Sequence, residues 1–543
     1  MPTLPPGGVL VRTTHSVISV GTEKMKVEQA KMNLLQKARA RPDQVRKVLD
    51  TAKTLGWRNA LEKVRNRLET PTPLGYSAAG VVVAVDPANT RLRVGDRVAC
   101  GGTECAFHAE YLAMPDLLVA PVPSGVDNWQ AAYTTLCSIA LHAVRQTEAG
   151  LGDRVLVMGQ GLIGLLVTNL LRAAGARVMA VDLQAARGPF ALAMGAERVV
   201  IPGRQQLAQE VRAWTDGYGV DAVVICTATQ SNTPIEQAVE VLRDRGRLVD
   251  VGNTKIELSW KLFYEKEIEV RFSRSYGPGR YDPSYEWGGI DYPIGYVRWT
   301  EQRNFDACLQ LMAAKALDVG AITTRRVPFS ASLEVYQDLL AEGSKDVGVV
   351  LEYFHTDQSP PTAYSPGSSR SEPLSPPPAA KLSAPVARVD VVGAGNFART
   401  MLLPHLKGQI PYGTVVNQTS LSANHVKTKF GFGAASTDAA AVFKDRAAAA
   451  VLISTRHHLH APLVIQALAA DRQVFVEKPL CLTREELAGI DAALAKSRGT
   501  VMVGFNRRFA PATEELKRRL AAVPGPKTAT YRVVAGKLDP QHW

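Results

Sequence analysis

At 543 residues, 46% of them hydrophobic and 21% charged, the chain has the composition of a large globular protein with more than one core. No apolar run approaches the roughly 20 residues that span a bilayer, and MPTLPPGGVLVRTTHS at the N-terminus lacks the basic-then-apolar pattern of an export signal, so no membrane partner is expected. The net charge of +12 is concentrated, with 13 Lys and Arg against 5 Asp and Glu between Lys24 and Glu69; no aromatic interleaving or base-reading motif accompanies it, which argues against nucleic acid.

In chain order, residues 9–22, VLVRTTHSVISVGT, alternate like strands and are rich in β-branched residues. The basic segment follows. Val45, Val48, Leu49, Ala52 and Leu55, then Leu61, Val64 and Leu68, fall at helical spacing and predict amphipathic helices with a solvated basic face, a lid or insertion or else a surface for an anionic substrate or partner. Pro73 to Gly80, PLGYSAAG, precedes the strand-like Val81–Val85, and Val94-Gly95-Asp96-Arg97-Val98 follows after a turn.

Val155-Leu156-Val157-Met158 reads as a buried strand running into Gly159-Gln160-Gly161-Leu162-Ile163-Gly164. A helix-like run to Arg172, a stop at Gly175 and a second strand from Arg177 to Val181 follow, and that strand ends on Asp182, 23 residues after Gly159. This is the pattern of a dinucleotide-binding βαβ unit. The first glycine permits the tight turn, the second lets backbone approach the pyrophosphate, and the third lets helix pack close to strand. The helix N-terminus offers free N–H groups to the anion, and the acid can accept bonds from a ribose. Val223 to Thr227 and Gly246 to Gly252 read as later strands of the same sheet. Residues 274–304 are rich in Tyr, Trp, Gly and Arg with little period, which suits either a sugar or polyol ligand or a long loop packed on itself. Residues 355–385 are Pro- and Ser-rich and read as a linker. A second device follows, in which Val389 to Val392 lead into Gly393-Ala394-Gly395-Asn396-Phe397-Ala398, a G-x-G-x-x-A turn. The six cysteines are scattered in apolar or strand-like contexts, which suggests reduced thiols and a cytoplasmic protein.

GYSAAGVVVAV, VGDRVA and HAEYLAMP, followed by the βαβ unit, resemble the medium-chain dehydrogenase/reductase superfamily over about residues 1–353. The resemblance implies a GroES-like β domain (1–130, with the basic insertion at about 24–70), a Rossmann domain (131–271) and a return to the first domain (272–353), with cofactor and substrate meeting in the cleft between them. It also implies that Arg187 is a basic partner near the adenine ribose and that the strands ending at Thr227 and Gly252 flank the nicotinamide. Zinc-dependent members carry a cysteine in a C-G-T-D-like motif and a histidine in a G-H-E-like motif. Here Val20-Gly21-Thr22-Glu23 and Gly75-Tyr76-Ser77 stand in those places, and the cysteine-rich lobe is missing, so no zinc is expected. Thr22 matches the family's proton-relaying hydroxyl, and Tyr76 is placed either to donate to a substrate oxygen or to pack in the core. Asp182, with no Ser-Arg in its place, favours NAD(H) at the first site.

Ala449 to Thr455 followed by Arg456-His457-His458-Leu459-His460-Ala461-Pro462, then Val474-Phe475-Val476-Glu477-Lys478-Pro479 and Val501 to Phe509, resemble the Gfo/Idh/MocA oxidoreductases, which act mainly on sugars and cyclitols. The resemblance implies a second Rossmann domain (387–505) in which Lys478 reaches nicotinamide and substrate hydroxyl. Thr455 and Glu477 are then expected at the cofactor and His460 at the chemistry. The second strand ends on Val416 and Asn417 without an acid, leaving NAD(H) or NADP(H) open there. Residues 506–543 read as the start of an α+β substrate domain that stops early, leaving the second module's catalytic completeness open. The expected architecture is α/β with two Rossmann domains. The expected function is nicotinamide-dependent hydride transfer to or from a sugar, sugar derivative or polyol, and two redox sites on one chain suggest oxidation at one and reduction at the other. The alternatives are a zinc-free carbonyl or enone reductase with a non-catalytic second module, and an NAD(P)-binding scaffold or sensor. Assembly as a homo-oligomer is open.

Overall fold

The computed structural model describes residues 2–32, 69, 71–341, 345–355, 386–444 and 450–521. The expected basic helices beyond Met32, most of the expected linker and residues 522–543 lie outside the described residues. The chain divides into two units, Met1–Glu372 and Pro373–Trp543.

Among its described residues the first unit holds two large sheets and one small parallel pair, Ala228–Thr229 with Asn253–Thr254. In one large sheet, Val9–Ile18 is the hub, pairing antiparallel with Ser77–Val85, Tyr111–Met114 and Gly348–Glu352. Arg97–Gly101 and Val119–Pro121 extend it on one side and Thr323–Pro328 on the other. The pairing of Val9–Ile18 with Gly348–Glu352 closes the sheet with the last strand of the unit. The strand read over 9–22 stops at Ile18, and a helix begins at Val20. The cause is local. Glu23 reaches back to accept the Ser19 N–H at 2.9 Å, satisfying one of the unpaired donors of a helix start.

The second sheet is all parallel, in the spatial order Glu269–Phe272, Leu242–Asp250, Val220–Ile225, Arg154–Met158, Arg177–Val181 and Arg198–Val200. Both of its faces are covered, so its strands read as unbroken apolar runs such as Val155–Met158 rather than as alternation. This is the doubly wound order, and it places the first glycine turn where the strand direction of the winding reverses.

The second unit repeats that order, with Ala434–Ser436, Tyr412–Val416, Val389–Val392, Ala450–Ile453, Gln473–Glu477 and Thr500–Gly504 all parallel. Its core divides across the two faces of the sheet, with Val392, Ile453, Val464 and Val476 in one cluster and Val391, Leu403, Val415 and Phe430 in the other.

Candidate functional site

The first glycine turn is built as the spacing predicts. Gly159 has φ of 90°, and its N–H donates to Val181 O at 2.8 Å. A Cβ on Gly164 would lie 1.8 Å from Gly159 O, so only glycine lets the helix Leu162–Ala173 sit this close to the strand. Nothing lies within 4 Å of a Cβ on Gly161, the residue that faces open space at the helix start. Asp182 accepts the Gln160 N–H at 2.6 Å and the Gln184 N–H at 2.7 Å, which puts its carboxylate on the rim of the turn. The Gln160 side chain, by contrast, is wholly buried and bonded to Val157 O and Thr168, and Leu162 also points into the core, so these residues offer backbone to a ligand. Gly252 lies against Thr227, where a Cβ would come within 1.9 Å of the carbonyl. Arg187 lies within electrostatic reach of Asp182. Its guanidinium donates to the carbonyls of Lys345 and Asp346, both at 3.2 Å, bracing the nucleotide domain against the segment leading into the last strand of the other sheet.

The second turn of helix Val20–Lys31 reaches the same rim. Met25 Sδ lies 4.0 Å from Asn253 Nδ2, next to Gly252. One turn back, Tyr76 is buried and its hydroxyl donates to Ser19 Oγ at 2.8 Å, with Thr22 also hydrogen-bonded to it. Burial pushes the Tyr76 phenol up to about 12, so it is a neutral donor near pH 7. Below this pair lies a network that the sequence reading missed. Glu23, fully buried, accepts from His108 Nε2 at 3.1 Å and from the Tyr336 hydroxyl; His108 Nδ1 lies 2.7 Å from Ser16 Oγ, which lies 2.9 Å from the Tyr353 hydroxyl. Burial opposes the Glu23 charge, but the bonds from His108, Tyr336 and the Ser19 amide outweigh it and hold the carboxyl below its usual range. Such a chain of hydroxyl, imidazole and carboxylate can hold or pass a proton beneath the cleft. Asp250, at the end of its strand, is pushed up to about 6 by burial.

In the second unit Gly393 has φ of 90°, and a Cβ there would meet Thr455 Cγ2 at 2.6 Å. Ser454 Oγ donates to Gly393 O at 2.9 Å, binding the two strand ends together. Asn396 and Phe397 stand exposed at the turn. Lys478 follows directly on the strand Gln473–Glu477 and is exposed. His460 is fully buried, with Nδ1 2.6 Å from Pro479 O and Nε2 3.2 Å from Thr455 O. It was expected at the chemistry; both ring nitrogens are instead taken up by backbone carbonyls, which makes it a positioning residue tying Lys478-Pro479 to Thr455. The structure thus gathers Gly393, Thr455, His460 and Lys478 at one edge. Glu477 is turned inward beside Gly504, and burial raises its carboxyl. Asn417 is buried and bonds Ser422 Oγ at 3.0 Å, where Asp182 occupies the matching strand end of the first unit.

Comparison with known proteins agrees with this geometry. Family models match residues 51–124 (alcohol dehydrogenase GroES-like domain), 163–287 (zinc-binding dehydrogenase) and 387–505 (oxidoreductase family, NAD-binding Rossmann fold). A probable D-xylulose reductase A from Aspergillus terreus is 30% identical over 253 residues, which cover 40% of this chain and 71% of that one. The chain belongs to the zinc-binding dehydrogenase family and carries a second, Gfo/Idh/MocA oxidoreductase domain. Another similar dehydrogenase is a probable D-xylulose reductase A from Arthroderma otae, 28% identical over 50% of this chain and 79% of its own length. A D-arabitol-phosphate dehydrogenase from Enterococcus avium is 26% identical over 52% of this chain and 82% of its own length. The chain is a nicotinamide-dependent oxidoreductase.

The expectation of a zinc-free enzyme is overturned by these matches, because the family whose model fits residues 163–287 is a zinc-binding one. A protein zinc site takes at least three side-chain ligands. Among the described residues no three His, Cys, Asp or Glu side chains converge; Glu23 and His108 form a pair, already bonded to each other. The described donors therefore do not fit the ion. Also among the described residues, no helix is long and apolar enough to cross a membrane.

Proposed function

We propose that the chain moves hydride between a nicotinamide cofactor and the carbinol or carbonyl carbon of a sugar, sugar derivative or polyol. The observation that carries this reading is the meeting of two elements at one rim. The glycine turn with Asp182 presents the cofactor, and the helix start with Thr22 and Tyr76 stands beside the Gly252 loop, one turn from Met25. A bound nicotinamide would take up the carbon-bound hydrogen with its electron pair in oxidation. The hydroxyl proton leaves towards Thr22 and Tyr76, with the Glu23–His108 network next to them. Reduction would run the same path backwards, with Thr22 donating to the carbonyl oxygen and neutral Tyr76, bonded to Ser19 and Thr22, holding that hydroxyl in place. In the second module, Lys478 is set to stabilise an alkoxide at the edge where Gly393 and Thr455 meet. The xylulose, sorbitol and arabitol-phosphate enzymes among the relatives support a sugar-alcohol substrate. Six unpaired cysteines suit a reducing compartment, and we place the chain in the cytoplasm.

The test is steady-state turnover of the full chain on pentitols, hexitols and the matching ketoses with NAD(H) and NADP(H). Thr22→Ala and Lys478→Ala are expected to lower kcat at their own module by roughly 10²-fold or more, with cofactor affinity unchanged. A parent chain that binds cofactor yet turns over none of these substrates would instead be a nucleotide-binding scaffold.

A further inference from the structure

The segment 274–304 is absorbed by neither glycine turn. It is a loop broken by one short helical turn, Pro283–Glu286, and it leads into helix Glu301–Ala313. Between its start and helix Thr134–Thr147 lies a hollow of about 360 Å³, lined by His142, Arg274, Gly277, Arg280, Tyr281 and Tyr292 among others. That size is within the range of small-molecule sites, roughly 300–1,000 Å³. The loop leaves the carboxyl end of strand Glu269–Phe272, and Ser273 N donates to Asp250 O at 2.8 Å, two residues before Gly252. The hollow thus opens from the edge of the parallel sheet that carries the first glycine turn, the edge at which open α/β sheets bind ligands.

Its chemistry is that of fixed cations. The guanidinium carbons of Arg274 and Arg280 lie 4.4 and 3.9 Å from the centre of the Tyr281 ring, so that ring is occupied by cations rather than open to a sugar face. Arg280 carries the charge of Glu286 and donates to Thr103 at 3.0 Å, while its Nε is buried without a partner. Asp282 is committed to the Tyr292 hydroxyl at 2.5 Å and to Ser284 N at 2.9 Å. Glu301, fully buried nearby, is pushed up to about 9, by burial first and then by the charge of Glu286, and so adds no charge near pH 7. The hollow's two arginines are matched in number by Glu286 and Asp282, but Asp282 is turned to Tyr292 and Ser284 N, and Arg274 is the one lining arginine that forms no ion pair among the described residues. The frame is set in advance. Gly277 and Gly279 have φ of 114° and 106°, and a Cβ on either would come within 2.8 Å of Asn304 Nδ2 or of the Tyr285 ring.

We propose that this hollow seats an oxyanion carried by the substrate, a phosphate monoester or a carboxylate on the sugar or polyol, with Arg274 as its principal partner. The proposal rests on the reading of the chain as a sugar or polyol oxidoreductase and adds that the substrate is acidic. The test is calorimetric titration of the full chain, saturated with NADH, with sorbitol, sorbitol 6-phosphate and gluconate, and competition by inorganic phosphate. One of the two anionic probes is expected to bind at least 10-fold more tightly than sorbitol, and which one does so distinguishes phosphate from carboxylate. That advantage should shrink with added salt, fall at least 10-fold in Arg274→Ala and recover in part in Arg274→Lys, with NADH affinity unchanged. Sorbitol binding as tightly as both anions, or an advantage that survives Arg274→Ala, overturns the proposal and leaves the polyol reading standing. Binding of none of the three to the NADH-loaded chain overturns both.

Discussion

The two parallel sheets of this chain share one strand order but close their first turn differently. In the first, Gly164 brings helix and strand so close that a methyl group would sit 1.8 Å from the Gly159 carbonyl. In the second, the same position is Ala398, buried and already carrying its methyl group, and the backbone after the turn runs as a π-helical stretch, Ala398–Leu402, before a short α-helix containing Pro404. Proline supplies no N–H to the preceding turn, and the wider coil accommodates that loss. The strand ends differ as well. Asp182 points its carboxylate at the Gln160 amide of the glycine turn, whereas Asn417 is buried in bonds to Ser422 and Ala394. One order of strands can therefore support a tight, acid-rimmed nucleotide turn or a looser, uncharged one. The choice rests on a few residues at the strand ends.

The largest effect should come from erasing the close approach. Gly164→Ala forces a methyl group onto a backbone carbonyl and is expected to cost about 3 kcal/mol, on the order of 8 °C in Tm of the first unit, with loss of its cofactor binding. Gly395→Ala, whose Cβ would find no atom nearer than 4.0 Å, should leave the melting of the second unit within about 1 °C, as calorimetry can resolve.

Exchanging the strand ends comes next. Asp182→Ala removes the acceptor of the Gln160 amide on the turn and of the Gln184 amide beyond it, and is expected to weaken NADH binding by about 10- to 100-fold, read by nicotinamide fluorescence. Asn417→Asp brings a carboxylate towards the second turn. It should lower NADPH affinity relative to NADH there by roughly 10-fold, through repulsion of the 2′-phosphate.

The smallest effect is a pH slope confined to the first unit. Glu301 titrates near 9 in the fold against 4.5 in the free side chain, with burial as the main cause. Between those values the folded chain keeps a proton that the unfolded chain has released, so this group makes stability fall as pH rises from about 4.5 to about 9. Glu301→Gln should remove that slope, gaining little at pH 5 and a few degrees of Tm at pH 9; equal gains at both pH values would show that the carboxyl is not protonated in the fold.

Much of this was legible in the residues. Gly159 to Asp182, Gly393 to Ala398 and Glu477-Lys478-Pro479 are short stretches whose meaning depends on neighbours along the chain, and each folds as its spacing requires. Other parts were not. Glu23 and His108 lie 85 residues apart and Glu23 and Tyr336 lie 313 apart, yet they share one carboxylate. No period or motif joins them, because their meeting depends on how Val9–Ile18 selects its three partner strands. His460 is expected at the chemistry because it stands in the stretch Arg456 to Pro462 that carries the Gfo/Idh/MocA resemblance. Only its burial between two carbonyls shows that it positions the turn. In the segment 274–304, composition allowed a ligand site or a self-packed loop. The structure shows the self-packed loop, with Tyr276 and Tyr285 buried in it, and leaves beside it the hollow lined by Arg274, on which the ligand proposal rests.

The oxidoreductase character of both halves was legible through motifs that resemble known families, and the sequence by itself determined the two glycine turns and the parallel sheets around them. These follow from local backbone freedom and from the run length of apolar residues, which are properties of contiguous chain. Tertiary structure alone decided which hydroxyl bonds Tyr76, which carboxylate keeps its charge under burial and which arginine is left without a counter-ion. Those outcomes depend on desolvation and on distances of about 3 Å between residues far apart in sequence, which no pattern along the chain encodes.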